Sequence, residues 1–337
     1  MHRTKTDRLN WINSGLMVAS ATASMAAPFH LFLFAYAILG PLHYLTEISW
    51  LHDRDYFAPT ASMRRLWLAI VAGATASIAF GFISSDLLGR PVAPVFEIGL
   101  VYMAFVLGAI AVFVKYVING IALAIGGVLM LVFMAGHPLY GIVAFLLITM
   151  IHVFVFTAAF VLGGALKSNS RSGLISLGVF IACAAAALLI QTPALAPSET
   201  VRALYSDFAQ LNRVLLYLFG RRGADVYGPA AAGIMRLIAF AYTYHYLNWF
   251  SKTSIIRWHE VPRVRAAGII AAWIAGVIVY MYDYRIGFAL FYVLSVLHVM
   301  LEFPLNHQTF ASIGKTLRPA GAARVMEREL SGAQGRN

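Results

Sequence analysis

Ten histidines are spread along the 337 residues, and four of them, His43, His152, His245 and His298, fall inside long apolar stretches. An ionisable side chain in such a stretch is costly, which makes each a candidate for function. Neutral imidazole suits iron, zinc, copper and nickel, whereas calcium and magnesium favour oxygen donors. Glu47 and Glu302 follow His43 and His298 by four residues, which places carboxylate and imidazole on one helix face. Five residues beyond each glutamate stands a further histidine, His52 or His307, so a His-x3-Glu-x4-His spacing occurs twice. Carboxylates so placed either orient a ligating imidazole through its second nitrogen or bind the ion themselves.

Other chemistries compete for the same residues. A histidine between membrane helices is also an ordinary hydrogen-bond partner. Histidine pairs hold haem, but two haems ask for pairs at two depths, and here there is one layer. Cys183 is the lone cysteine and reads as a small core residue, so no thiolate metal site is expected. With no thiolates and an apolar surround, the expected ion is Fe(2+) in a four-histidine site with open positions, with zinc or copper as other choices. The chain has no Walker loop, no G-x-G-x-x-G fingerprint, no Ser-His-Asp spacing and no Cys-x-x-Cys. The histidine boxes of membrane fatty acid desaturases are absent as well.

The elements that must position these residues are membrane spans. Residues are 61% hydrophobic and 12% charged, against roughly 45–50% and 25% in soluble domains. The fold class expected is all-α, a polytopic helical bundle of about ten spans. Apolar runs of spanning length lie at 11–27, 28–50, 64–83, 96–116, 119–135, 138–165, 173–191, 229–250, 266–282 and 286–306. His2-Arg3-Thr4-Lys5 followed by Leu16 to Ala27 also resembles a signal peptide, and an uncleaved first span is the favoured reading. Breaks are expected at Pro28, Asp86/Gly89/Pro91, Asn119-Gly120, Gly136-His137-Pro138, Ser168–Ser172 and Asp283.

With both termini cytoplasmic, 18 Lys and Arg fall inside and 6 outside, Arg236 lying within a span. That asymmetry fits an inner (cytoplasmic) membrane location. It also accounts for the net charge of +11 without a nucleic-acid partner. The four histidines lie 15, 14, 16 and 12 residues from span starts at 28, 138, 229 and 286. At the rise of an α-helix this is one layer about 18–24 Å below the outer edge. All four spans run from outside to inside, so the imidazoles can converge on one centre.

Residues 1–313 form a single membrane-embedded domain on this reading, and 314–337 a basic cytoplasmic tail. Within the extracytoplasmic segment 192–228, Val201, Leu204, Tyr205, Phe208, Leu211, Leu215 and Leu218 follow helical spacing. This reads either as an amphipathic interfacial helix or as one packed on the spans. Arg236 needs a partner, and Glu97 is one candidate. Tyr242, Tyr244, Tyr246 and Trp249 surround His245 and could wall a flat apolar ligand.

The histidine segments resemble those of the Brp/Blh family of membrane β-carotene 15,15′-dioxygenases. Gly40-Pro41-Leu42-His43-Tyr44-Leu45-Thr46-Glu47 is similar to a family motif Gly-x-Pro-His-Gly-Ala-x-Asp. The run Leu146 to Phe154 into Ile151-His152-Val153-Phe154 resembles a second, and Tyr242 to Trp249 around His245 a third. Leu297-His298-Val299-Met300-Leu301-Glu302 compares with a late histidine followed by an acid. The order of the four segments is the same. The departures are Trp249 where the family has a second histidine, and bulky Tyr44 and Leu45 where it has small residues. The chain also has more spans than a typical member.

The resemblance implies a non-haem iron oxygenase acting on a long apolar substrate, such as a carotenoid or other isoprenoid lipid. It implies a metal bound by His43, His152, His245 and His298, with Glu47 and Glu302 as catalytic carboxylates that orient or supplement them. A transporter that relays protons or carries a metal ion on the histidine layer is the alternative. So is a scaffold in which the histidines only hold helices together.

Overall fold

A computed structural model describes residues 2–58, 60–88, 94–113 and 138–317. The described chain is helical throughout, without strands. Helix α1 (His2–Ala26) ends at Pro28, which opens α2 (Pro28–His52) as its first residue, where a missing N–H costs nothing. Next come α3 (Ala61–Leu88) and α4 (Pro94–Phe113). Three consecutive pieces, Pro138–Leu146, Leu147–Phe156 and Thr157–Ser168, run on as α5. Asn169, in the left-handed region at φ 46°, stops α5, and Ser170 caps α6 (Arg171–Leu189) by accepting from the Gly173 amide. Two short helices follow, α7 (Glu199–Tyr205) and α8 (Ala209–Leu218). The bundle closes with α9 (Pro229–Ser251), α10 (Arg263–Tyr282) and α11 (Tyr284–Leu317).

Among the described residues, six helices are long and apolar enough to cross a membrane: Pro28–His52, Ala61–Ser84, Gly141–Ser168, Arg171–Leu189, Arg263–Tyr282 and Tyr284–Leu317. Large apolar side chains stand exposed along them, among them Phe80, Ile181, Ile278 and Met281. Water would penalise such a surface and lipid would not. The apolar run 119–135 and the breaks at Asn119-Gly120 and Gly136-His137 lie outside the described residues. The breaks at Pro28, Ser168–Ser172 and Asp283 coincide with helix ends. Helix α11 continues to Leu317, four residues beyond the expected edge of the domain at 313.

The core is centred on α9. Fifteen of its 23 residues are buried, and it packs against α1, α2, α5, α6 and α8. Gly233 permits the approach of α6, since a Cβ there would come within 2.2 Å of the Leu188 carbonyl oxygen. Helices α7 and α8 lie on the bundle and contribute Tyr205, Leu211, Leu215 and Leu216 to the same core as α2 and α9. Both short helices thus pack on the neighbouring helices. Leu218 alone of the apolar face stays largely exposed.

Two helices depart from α geometry where they carry histidine. In α2, Ala35–Leu39 forms a π turn, closed by the Gly40 amide on the Ala35 carbonyl. Pro41 follows at once; in a regular helix its ring would press on the carbonyl four residues back, that of Ala37. The wider turn relieves that clash. In α5 a π stretch, Leu147–Phe156, contains His152 itself. Such π segments gather at functional sites.

Candidate metal centre

His43 on α2, His152 on α5, His245 on α9 and His298 on α11 meet in the middle of the bundle, each at most 7% exposed. Their rings form a closed circuit. Centroids are 4.8 Å apart for His43–His245, 4.8 Å for His245–His152, 5.0 Å for His152–His298 and 5.3 Å for His298–His43. Two pairs of nitrogens face each other, Nε2 of His43 and His245 at 3.1 Å and Nε2 of His152 and His298 at 3.2 Å. Two nitrogens bound to one ion at about 2.1 Å, with angles near 90–110°, stand about 3.0–3.4 Å apart. The spacing is that of neighbouring ligands. Three of the four, His43, His245 and His298, present atoms all within 4.8 Å of one another, close enough to hold a metal ion. His152 joins through His298 and lies outside that mutual set.

The two carboxylates are buried with them, Glu47 at 1% and Glu302 at 4% exposure. Glu47 Oε2 lies 3.0 Å from His43 Nε2, the i, i+4 partner expected from the spacing. Glu302 departs from expectation. Its Oε2 lies 3.2 Å from Nδ1 of His152 on another helix, and not beside its own i, i+4 neighbour His298. The i, i+4 rule fixes only a shared face; α11 packs against α5, and the carboxylate reaches across that seam. Neither contact has hydrogen-bond alignment, for Glu47 Oε2 and His152 Nδ1 both lack a hydrogen-bond partner, as does Nδ1 of His43. Buried polar atoms are seldom left so. Close imidazoles with carboxylates beside them are donor types that a transition metal takes. The donor set therefore fits a transition metal.

The surroundings fix the rings. Thr157 Oγ1 sits 2.8 Å from His245 Nδ1, so the imidazole proton lies on Nδ1 whenever Nε2 binds an ion. Tyr44 stacks on His298 at 4.2 Å and is hydrogen-bonded to the Tyr246 hydroxyl at 2.6 Å. Trp249 approaches His43 at 5.4 Å and donates from Nε1 to Thr46 Oγ1. Sequence spacing gave no sign of Thr157; the available signal was one of only two threonines in the apolar run that carries His152, the other being Thr149. Of the aromatics around His245, Tyr246 and Trp249 wall the site. Tyr244 turns to Asn13 of α1, and Tyr242 to Phe32 of α2.

Three further histidines among the described residues lie elsewhere. His52 bonds Tyr56, His307 meets the Phe105 carbonyl at 3.0 Å, and His259 lies against Trp258. Arg236 is 3% exposed and donates to the carbonyls of Ile190, at 2.8 Å, and Thr192. It thus caps the end of α6, and the Glu97 side chain lies outside the described residues. Cys183 is free and buried in the α1–α6–α9 core. An apolar cavity of about 280 Å³ lies between α2, α10 and α11, lined by Pro41, Leu45, Ala272, Gly276, Leu290 and Leu294. Pro41 and Leu45 stand two positions either side of His43, so the cavity is on the far face of α2 from the histidines.

Comparison with protein-family models, curated proteins and solved structures gives no match to this chain. Among the described residues, fold and site define an all-helical protein with six helices long and apolar enough to span a membrane and a buried histidine cluster close enough to bind a metal ion.

Proposed function

We propose that the chain is a multi-pass membrane oxygenase whose histidine cluster holds non-haem iron and acts on a long apolar substrate, such as a carotenoid or other isoprenoid lipid. The reading includes ten spans in the inner membrane with both termini cytoplasmic. The observation that carries it is the meeting of His43, His152, His245 and His298 at ligand spacing, with Glu47 and Glu302 beside them. Mere helix packing would not call for two buried carboxylates whose ion contacts are to histidines. A divalent cation offsets their charge in a medium where it is otherwise prohibitive. Iron bound there would supply open positions for activating dioxygen.

The protein's own residues do the rest. Thr157 fixes the His245 tautomer, Tyr44 holds the His298 plane, and Tyr246, Trp249 and Phe250 wall His43 against water. These aromatic walls favour an apolar substrate delivered from lipid. Purified protein is expected to carry a transition metal near stoichiometry. Less than about a tenth of an equivalent after reconstitution would refute the centre. Expression in a carotenoid-producing host is expected to bleach the pigment and release aldehydes; iron-loaded protein in an unbleached host would remove carotenoids as substrate.

A further inference from the structure

One side of α8 is buried in the bundle, with Leu211, Leu215 and Leu216 on it. Gln210, Arg213 and Tyr217 stand outward, at the three- and four-residue steps of a single helix stripe. The helix then ends on three consecutive large apolar side chains left in the open: Tyr217 is 39% exposed, Leu218 47% and Phe219 53%. Arg221 and Arg222 follow, both exposed. The Arg222 guanidinium lies 4.3 Å over the Tyr217 ring, so charge and aromatic face form one unit. Between Asp207 and Asp225 the chain carries three arginines and no acid.

The fold holds this tip in place. The Arg221 amide bonds the Leu216 carbonyl and the Gly220 amide that of Tyr217, the double closure of a helix end that needs glycine in the left-handed region. Gly220 supplies it at φ 72°. The Arg221 side chain donates to the Ala230 carbonyl at 2.6 Å and ties the turn to the start of α9. Tyr227, between them, meets Phe29 at 5.3 Å, and Phe29 is the second residue of the apolar helix that begins at Pro28. The tip therefore lies at the bundle end where that helix begins. At such a level acyl chains give way to headgroups, and tyrosine and arginine both favour the border.

We propose that the end of α8 is a docking surface for an anionic phospholipid of the surrounding bilayer. Tyr217, Leu218 and Phe219 enter the edge of the acyl-chain region, and Arg213 and Arg222 hold the lipid phosphate. Arg221 is already engaged by Ala230 and serves to position the turn. The proposal rests on the membrane-spanning helices and is independent of the metal centre. Water penalises three adjacent apolar side chains, and a lipid border does not. Charge selects the occupant. A second copy of the chain docked through the same surface would set arginine against arginine, whereas a phosphate complements them.

The test uses the full chain with Cys183→Ala, so that Phe219→Cys provides one site for an environment-sensitive fluorophore. It is reconstituted in nanodiscs of phosphatidylcholine and phosphatidylglycerol. Nitroxides on the upper acyl carbons are expected to quench the probe, and aqueous iodide is not. In parallel, the unaltered chain in detergent is expected to retain phosphatidylglycerol over phosphatidylcholine in native mass spectrometry. Arg213→Gln with Arg222→Gln is expected to weaken that binding roughly 30-fold, about fivefold for each arginine. Quenching by iodide alone would overturn the proposal. Protection from both quenchers in a chain that pairs with a second copy would overturn it in favour of self-association. Equal retention of the two lipids by the unaltered chain, or binding by the double variant within about twofold of the parent, would overturn it as well. The lipid measurement on the unaltered chain needs no substitution and decides even if the cysteine variant does not fold.

Discussion

Replacing Thr157 by valine tests how the protein holds its ligands. Valine keeps the volume and removes the hydroxyl that sits 2.8 Å from Nδ1 of His245, in a position 1% exposed. Without metal the change is mild, because the imidazole can place its proton on Nε2 and leave a bare Nδ1 against the valine. An ion on Nε2 takes that freedom away. The proton must then sit on Nδ1, as a buried donor with no acceptor, at a cost of about 1–3 kcal/mol. At about 1.4 kcal/mol per factor of ten, affinity is expected to fall roughly five- to 150-fold. Loss of an outer partner to a metal-bound histidine typically costs about 10–100-fold, the same range. Competition against a chromogenic chelator in detergent, with Zn(II) or Co(II) as probe, measures it. Thr75→Val is the control, since that hydroxyl bonds only its own helix at the Val71 carbonyl. Affinity within about twofold of the parent, in a variant of unchanged elution and helicity, would refute the ligand role of His245 Nε2.

His298→Ala is expected to lose metal while His307→Ala keeps it, because His307 Nε2 meets the Phe105 carbonyl; metal content by mass spectrometry separates the two. Arg236→Leu orphans the Ile190 and Thr192 carbonyls. It is expected to destabilise by about 1–3 kcal/mol in thermal denaturation with metal content unchanged. Burial pulls the Lys252 ammonium, just past the end of α9, down to about 8 from 10.5. Between those values the unfolded chain binds the extra proton, so stability should rise as pH climbs from about 8 toward 10.5, and below 8 the whole penalty applies. Lys252→Met is expected to flatten that slope.

The histidine layer was legible because depth is a matter of counting. Spans begin at breakers such as Pro28 and Pro229, and a fixed rise per residue turns position into height. Rotation about each helix axis was harder. Counting could not foresee the π turn before Pro41 or the π stretch around His152, which alter the facing of residues beyond them. Nor could it assign Glu302 to His152, because that depends on the packing of α11 against α5. The capping of α6 by Arg236 was hidden for a related reason: its partners are backbone carbonyls, which no residue type announces. Helix α9 shows the limit of hydropathy itself, for the stretch 229–250 is not among the six described helices long and apolar enough to cross a membrane, yet it forms the centre of the bundle.

That central position bears on how the chain is made. An arginine within a span opposes entry into lipid, by about 2.5–3.5 kcal/mol when it stands at the centre, so α9 with Arg236 is poorly suited to leave the translocation machinery alone. The helices that pack on it, α1, α2, α5, α6 and α8, all precede it in the chain. By the time the ribosome reaches Pro229, the groove that receives α9 and the carbonyls that receive Arg236 have already been synthesised. Gene order thus places the helix that carries Arg236 after its shelter, and a permuted gene that began with α9 would deliver it to lipid unaccompanied.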